Sequence, residues 1–420
     1  MIKREIIEKI RPWLKKEKIL ILNGARQVGK TTILKMLKKE LEKDSQFQVV
    51  YLLADDLWNK EIFNSVSSLE LYLKQFHGFG KKKIYLIIDE FQVINNAGLF
   101  LKNIFDKHKD KIQLIVSGSS SLEINKNSEF LTGRAIHFNI ERINFKEYFD
   151  YISKSDIKRI SLNSFSDLEN FYNIFKLKLD IAMSEYLVFG AYPEVITTNT
   201  IGDKKTILKS IVKTYIEKDI INHLNVENIN GFNNLIKILS SQIGQMINSH
   251  EISNTISLPA NTLKKYLDIL IGTYIYSLLT PFYKNVRSEI SKMPKGYIMD
   301  LGIRNYLLRD FVFDNNTANG AVIENFVYLS LASQFDKEYL HYYRTISGSE
   351  IDFIIEKDNA KKILCEVKYR SKINIPLAFK NFENKYGGEI DKKIIISKDL
   401  IKKERDVYFL PASLINFINF

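Results

Sequence analysis

Cysteine is nearly absent: the chain of 420 residues holds one, Cys365. A lone thiol excludes a disulfide framework within the chain and any zinc site built from cysteines. The default expectation is a reducing, cytoplasmic setting. Long apolar runs are missing too. No stretch reaches the roughly 18 uncharged apolar residues of a membrane-spanning helix. The nearest, ILIGTYIYSLLTPF, is short and runs into Pro281. The opening MIKREIIEKIRPWLKKEKIL is charged throughout and lacks the apolar core and small-residue cleavage site of a signal peptide. No membrane partner is expected. Internal repeats and long low-complexity tracts are also absent.

Positive charge, by contrast, is in excess. The net charge is +12, on a background of 26% charged and 45% hydrophobic residues typical of a soluble globular protein. A basic surface attracts phosphate backbones, which makes nucleic acid a candidate partner; a solvated, lysine-rich surface gives the same count. At about 100–200 residues per domain, the length allows two to four domains.

Between residues 18 and 140, short apolar runs alternate with helical stretches. KILILNG, FQVVYLLADD, IYLIIDE, IQLIVSGSSS and AIHFNI read as five strands. Continuous apolar runs separated by helices predict an α/β fold with a parallel sheet covered on both faces. The pattern turns helical from about Asn144, and strands mix with helices again from Pro294. Boundaries near 205 and 292 divide the chain into 1–205, 206–292 and 293–420.

GARQVGKT, Gly24 to Thr31, has the spacing G-x-x-x-x-G-K-[ST] between a strand and a helix. Gly24 and Gly29 permit backbone angles that other residues resist. The loop Gly24, Ala25, Arg26, Gln27, Val28, Gly29, with Lys30, Thr31 and Thr32 opening the helix, is expected to cradle the phosphates of ATP. Lys30 would reach the β and γ phosphates, and Thr31 would offer its hydroxyl to Mg²⁺. In KKKIYLIIDEFQ, Asp89 and Glu90 emerge from the carboxyl end of a buried strand, where ligands bind in open α/β sheets. Asp89 is expected to hold the metal and Glu90 to polarise the attacking water. Ser117 or Ser119, after the fourth strand, would bond the γ-phosphate or that water, unless they only form a turn. Arg134, in LTGRAIHF, is read either as an arginine finger on phosphate or as a surface residue.

These segments resemble the AAA+ superfamily of P-loop ATPases. NGARQVGKTT, IIDEFQ, VSGSSS, LTGR and the later FGAYPEV further resemble a widespread bacterial and archaeal ATPase family. That family joins an AAA+ core with a helical lid to a C-terminal domain of unknown function. The resemblance covers nearly the whole chain and implies ATP hydrolysis with Mg²⁺. One departure is IERINFKEYF, where a proline-leucine-serine element is usual.

In the middle, Ile252 and Ile256 at i, i+4 precede the break LPAN. Asn261 or Thr262 can cap a second helix, TLKKYLDIL, that buries Leu263, Leu267 and Leu270. YIYSLL would follow as a wing. The stretch resembles a winged helix-turn-helix. Its second helix carries Lys264 and Lys265 but no arginine, asparagine or glutamine in its body, so it lacks the usual bidentate base readers. Backbone contact, or a spacer role, is expected.

Near the end, EIDFIIEKDNAKKILCEVKYR places charges inside two apolar runs. Strand alternation puts Glu366 and Lys368 on one face, and a hairpin through EKDNAKK would bring Asp352 beside Glu366. Two such carboxylates can hold Mg²⁺ while a lysine stabilises negative charge. Upstream, Glu324 sits in the apolar helix AVIENFVYLSLASQF, where an unpaired carboxylate is costly and a metal or cationic partner is expected. The order Glu324, Asp352, Glu366-x-Lys368 resembles the PD-(D/E)XK nuclease fold. The resemblance implies a metal-dependent nuclease with Asp352, Glu366 and Lys368 in catalysis and Glu324 as a further metal ligand, or a degenerate fold in which Glu366 and Lys368 form a structural ion pair. PKGYIMDLGIRNYLL, Pro294 to Leu308, is assigned only domain packing. If Arg134 acts across subunits, the chain forms a homo-oligomer.

Overall fold

The computed structural model describes residues 2–80, 82–119, 128–214, 226–282, 292–312, 320–345, 348–357, 361–387 and 390–420. Packing divides the chain into two compact units. One comprises residues 3–142 with 272–274, the other residues 143–271 with 275–420.

In the first unit, five strands, β1 (Ile19–Asn23), β2 (Phe47–Leu53), β3 (Lys83–Asp89), β4 (Ile112–Gly118) and β5 (Ala135–Asn139), form one sheet in the order β2-β3-β4-β1-β5. Every pairing is parallel. The expected strands are all present. Ile19 to Leu22, Ile84 to Ile88 and Leu114 to Val116 are buried, as both faces of a covered parallel sheet require. The helix Lys30–Leu41 returns along the sheet through Ile33, Leu34, Leu37 and Leu41, an apolar stripe at helical spacing. Pairing sets Leu22 opposite Ser117 and Ile88 opposite Val116. The carboxyl ends of β1, β3 and β4 therefore finish level, with β4 between the other two.

The second unit holds the helices and the C-terminal sheet. The IERINFKEYF segment starts the helix Phe145–Ser153 with a capping box between Asn144 and Glu147, so this local sequence is self-sufficient as a helix start. A short strand, β6 (Ile160–Ser161), precedes the long helix Phe165–Phe189. The helices Ile229–Ser241, Ser249–Thr255 and Ala260–Gly272 lead to an antiparallel pair, β7 (Tyr276–Leu279) and β8 (Lys295–Ile298). Ala260–Gly272 buries Leu263, Tyr266, Leu267 and Leu270, and Lys264 and Lys265 are exposed. Residues 215–225 and 283–291 of this middle region lie outside the described residues.

Six strands follow: β9 (Leu340–Arg344), β10 (Glu350–Glu356), β11 (Lys362–Val367), β12 (Ile390–Ser397), β13 (Lys402–Glu404) and β14 (Val407–Pro411). They form a mixed sheet in the order β13-β14-β12-β11-β10-β9. β9, β10 and β11 are antiparallel neighbours, and β11 and β12 are parallel. A parallel pair needs a crossover, which the helix Leu377–Tyr386 supplies by burying Phe379 and Phe382 against Ile351, Ile354, Leu364 and Ile395. β15 (Ile418–Asn419) pairs with β6. No helix among the described residues is long and apolar enough to cross a membrane.

Candidate nucleotide and carboxylate sites

The loop after β1 is built for close approach. A Cβ on Gly24 would run into the Ile140 carbonyl, so only glycine lets the chain pass there. Gln27 (φ 62°) and Gly29 (φ 95°) take left-handed conformations. Gly29 is the N-cap of Lys30–Leu41 and offers no side chain to its first N–H groups, which leaves them for an anion. Beneath the loop, the buried Arg4 donates to the carbonyls of Val28 (2.9 Å) and Glu141 (2.6 Å). Nothing in the charged N-terminal sequence distinguished this arginine from its neighbours.

Lys30 is 5% exposed. Its ammonium donates to the carbonyls of Gly24 (3.0 Å) and Ala25 (2.8 Å). Burial pushes it down to about 8, against the raising influence of Glu90 and Asp89. Thr31 is half-buried, while Thr32, Arg26 and Gln27 are exposed at the loop's rim and Val28 is buried beneath it.

Asp89 is fully buried at the end of β3. One oxygen accepts from the Tyr51 hydroxyl (2.7 Å) and the other from the Ser117 hydroxyl. Ser117 also accepts from the Glu90 N–H (3.2 Å). Glu90 turns off the strand in a left-handed conformation (φ 56°). Its carboxylate accepts from the Gln92 amide, which also donates to Ser119 (3.2 Å). Both serines thus hold the acid pair in place. Tyr51 was missed from sequence because only strand register brings β2 beside Asp89.

The site fits a nucleoside triphosphate with its magnesium. An uncapped helix start and a buried ammonium face the same edge as two carboxylates. Nearby, Asn23 Oδ1 and Gln92 Oε1 are buried without a hydrogen-bond partner, acceptors that water around a bound ion can satisfy.

Arg134 lies elsewhere. Its carbonyl accepts from the Ile19 N–H (2.8 Å), at the amino end of β1. The five residues of β1 separate it from the phosphate loop, about 16 Å along the strand at 3.3 Å per residue. Its guanidinium grips Asp106 at 2.7 and 3.0 Å. Contact with phosphate in its own site, one of the expected roles, is corrected by this geometry: β5 enters the sheet at Ala135, and parallel pairing fixes Arg134 at the far edge.

In the C-terminal sheet, Phe353 pairs with Cys365, which sets Asp352 beside Glu366. The turn residues 358–360 lie outside the described residues. The Asp352 N–H donates to Glu366 (3.1 Å), and the Val367 N–H donates to Asp352 (2.8 Å). Lys368 pairs with Glu366 at 2.6 Å. Glu324, on the helix Gly320–Ala332, reaches the same cluster through Lys295 of β8. This lysine, 3% exposed, contacts Glu350 (2.6 Å), Glu324 (2.9 Å) and Asp352 (3.3 Å). The Tyr297 hydroxyl adds a bond to Glu324 (2.7 Å). Lys295 and Tyr297 belong to PKGYIMD, assigned above only to packing; Lys295 is the cationic partner that Glu324 requires.

Burial, and then the charge of Asp352, pushes Glu324 and Glu366 each up to about 7. Burial acts to lower Lys295, but Asp352, Glu324 and Glu350 outweigh it and raise the lysine. Among the described residues, no group of three or more His, Cys, Asp or Glu side chains has the arrangement of a metal site.

Residues 16–149 match the family described as AAA domain. Residues 181–312 and 319–415 match two domains of unknown function, DUF8612 and DUF4143. An uncharacterized protein of Methanocaldococcus jannaschii is 27% identical over 376 residues, 86% of this chain and 77% of that protein. An uncharacterized protein of Haemophilus influenzae is 23% identical over 350 residues, 81% of this chain and 80% of that protein. Among solved structures, AMPPCP-bound DnaA from Aquifex aeolicus is 15% identical, with a TM-score of 0.30 over 64% of this chain and 89% of that one. Drosophila ORC bound to DNA is 11% identical, with a TM-score of 0.31 over 73% of this chain and 95% of that one. At such scores neither likeness carries an argument. The match to the AAA domain over 16–149 takes in the phosphate loop and the five-stranded parallel sheet.

Proposed function

We propose that the chain binds and hydrolyses ATP with Mg²⁺ in its P-loop core, and that the nucleotide state controls a nuclease-like C-terminal domain acting on nucleic acid. The carrying observation is the alignment of the phosphate loop, Lys30, Asp89 and Glu90 at one sheet edge. Lys30 and the helix start would hold the phosphates, and Thr31 and Asp89 would hold Mg²⁺, which would neutralise phosphate charge. Glu90, fixed by Gln92, would orient a water and draw off its proton. Functionally we divide the chain into an ATPase core with its lid (1–205), a winged helix (206–292) and the nuclease-like part (293–420). The helices Ile229–Ser241, Ser249–Thr255 and Ala260–Gly272, followed by β7, support the second part, and β7 pairs with β8 across the boundary at 292. The juxtaposition of Asp352, Glu366 and Lys368 supports the third.

A second reading is favoured by Lys295. An internal cation already neutralises Glu324 and Asp352, as in a nuclease fold retained for binding or assembly. The deciding experiment is cleavage of DNA and RNA in Mg²⁺ or Mn²⁺ by wild type, Asp352→Ala, Lys368→Ala and Lys30→Ala proteins. The first reading expects cleavage that both C-terminal variants abolish and Lys30→Ala alters. Equal absence of cleavage in all of them, on every substrate and metal, leaves the second.

Arg134 is too far from its own phosphate loop to act there, so as a finger it would serve a neighbouring copy. ATPase activity per chain is then expected to rise with protein concentration. Arg134→Ala should lower it about 10³-fold at high concentration. A concentration-independent rate that the substitution leaves unchanged would make Arg134 a plain surface partner of Asp106.

A further inference from the structure

We propose that a basic concavity between the helices Ile201–Ile211, Ile229–Ser241 and Leu301–Leu308 is a binding site for a phosphate-bearing ligand. The cavity encloses about 330 Å³, a size usual for ligand sites. Lys237 and Arg309 open onto it, with the Tyr306 hydroxyl and Asn233 amide beside them. None of these four side chains has a hydrogen-bond or ion-pair partner among the described residues, and no acid is among the described lining residues. The nearest acid in sequence, Asp310, is turned to Arg304 at 2.5 Å, so it does not neutralise Arg309.

The rest of the described lining is apolar: Val212, Ile236, Leu307 and Phe311. Lys205 stands over the Phe311 ring at 4.7 Å. Cations and neutral donors mixed with apolar side chains suit a phosphate ester with an organic body. Lys205 and Lys209 lie on the helical stripe that ends in Val212, at i, i+4 and i+7, and both are exposed. Positive charge thus continues past the cavity, which favours a nucleic-acid strand over a free nucleotide. This assignment rests on the proposed action on nucleic acid and gives it a surface that does not include Lys264 and Lys265.

The test is fluorescence anisotropy of the full chain with a short labelled DNA strand, titrated in salt. In the double variant Lys237→Ala/Arg309→Ala, affinity should fall at least about 10-fold. The slope of log K against log salt should shrink by about 1.4, at roughly 0.7 per lost phosphate contact. Lys237→Glu alone should weaken binding in the same direction. Basal ATPase, measured without DNA, should be unchanged in both variants. Displacement of the strand from Lys30→Ala protein by free nucleotide, abolished when Lys237→Ala and Arg309→Ala are added to it, would still support the site and assign it the smaller ligand. Unchanged affinity and slope in the variants would overturn the site while leaving nucleic-acid binding intact. If wild type binds neither strand, nucleotide nor inorganic phosphate here, the site and the nucleic-acid reading fall together.

Discussion

Replacing Lys30 by alanine is expected to lower ATP turnover by about 10²- to 10³-fold, the usual loss when a buried donor to transferring phosphate is removed. Nucleotide binding should weaken by about 10- to 100-fold, since a hydrogen bond to a charged group contributes about 1.5–3 kcal/mol. The wild-type lysine also gives this site a pH dependence. Its ammonium, held on the Gly24 and Ala25 carbonyls, is pushed down to about 8 by burial. Phosphate charge beside it would pull that value back up. Binding above pH 8 therefore takes up a proton. Affinity should be flat below pH 8 and fall by up to about tenfold per pH unit above it. Lys30→Ala should lack this fall. Equilibrium titration with a fluorescent ATP analogue from pH 7 to about 9.5 checks both parts; a wild-type affinity unchanged across that range refutes the assignment.

The second large effect concerns Lys295. Lys295→Met removes the cation shared by Glu324, Glu350 and Asp352. Breaking a buried ion pair from one side costs about 3–5 kcal/mol, because the remaining charge stays desolvated. That loss should appear in chemical denaturation, and Glu324→Gln added to Lys295→Met should recover part of it. The sign of the pH effect is fixed as well. Burial already raises Glu324 to about 7, above a carboxyl in an unfolded chain. The folded protein therefore holds that proton more tightly than the unfolded one, and this contribution favours folding as pH drops from 7 toward 4.5. The variant should be hurt more at pH 8 than near pH 5.5. Equal stability of variant and wild type at pH 8 would mean that Lys295 does not neutralise the cluster.

Legibility from sequence followed the range of the interaction. The five strands of the first sheet were readable because each is a nearly continuous apolar run, which both buried faces demand. The phosphate loop was readable because its glycines, lysine and threonine act through neighbours in the chain. Tyr51 and Arg4 were not, since their contacts to Asp89 and Val28 cross 38 and 24 residues. Arg134 shows the same limit from the other side. Its motif was plain, but only parallel pairing with Ile19 placed it at the edge remote from the phosphates.

By itself, then, the sequence determined the local chemistry: a loop shaped for phosphate, a pair of acids closing a buried strand, and a hairpin alternation that sets Asp352 beside Glu366. Those follow from spacing along a few residues. Only the tertiary structure decided what neutralises the C-terminal acids. Glu324, Glu350 and Asp352 come from separate elements, and Lys295 meets them from β8, 29 residues before Glu324 and 57 before Asp352. No local pattern announces such a lysine, because its burial is stabilised only after the three carboxylates have been gathered around it.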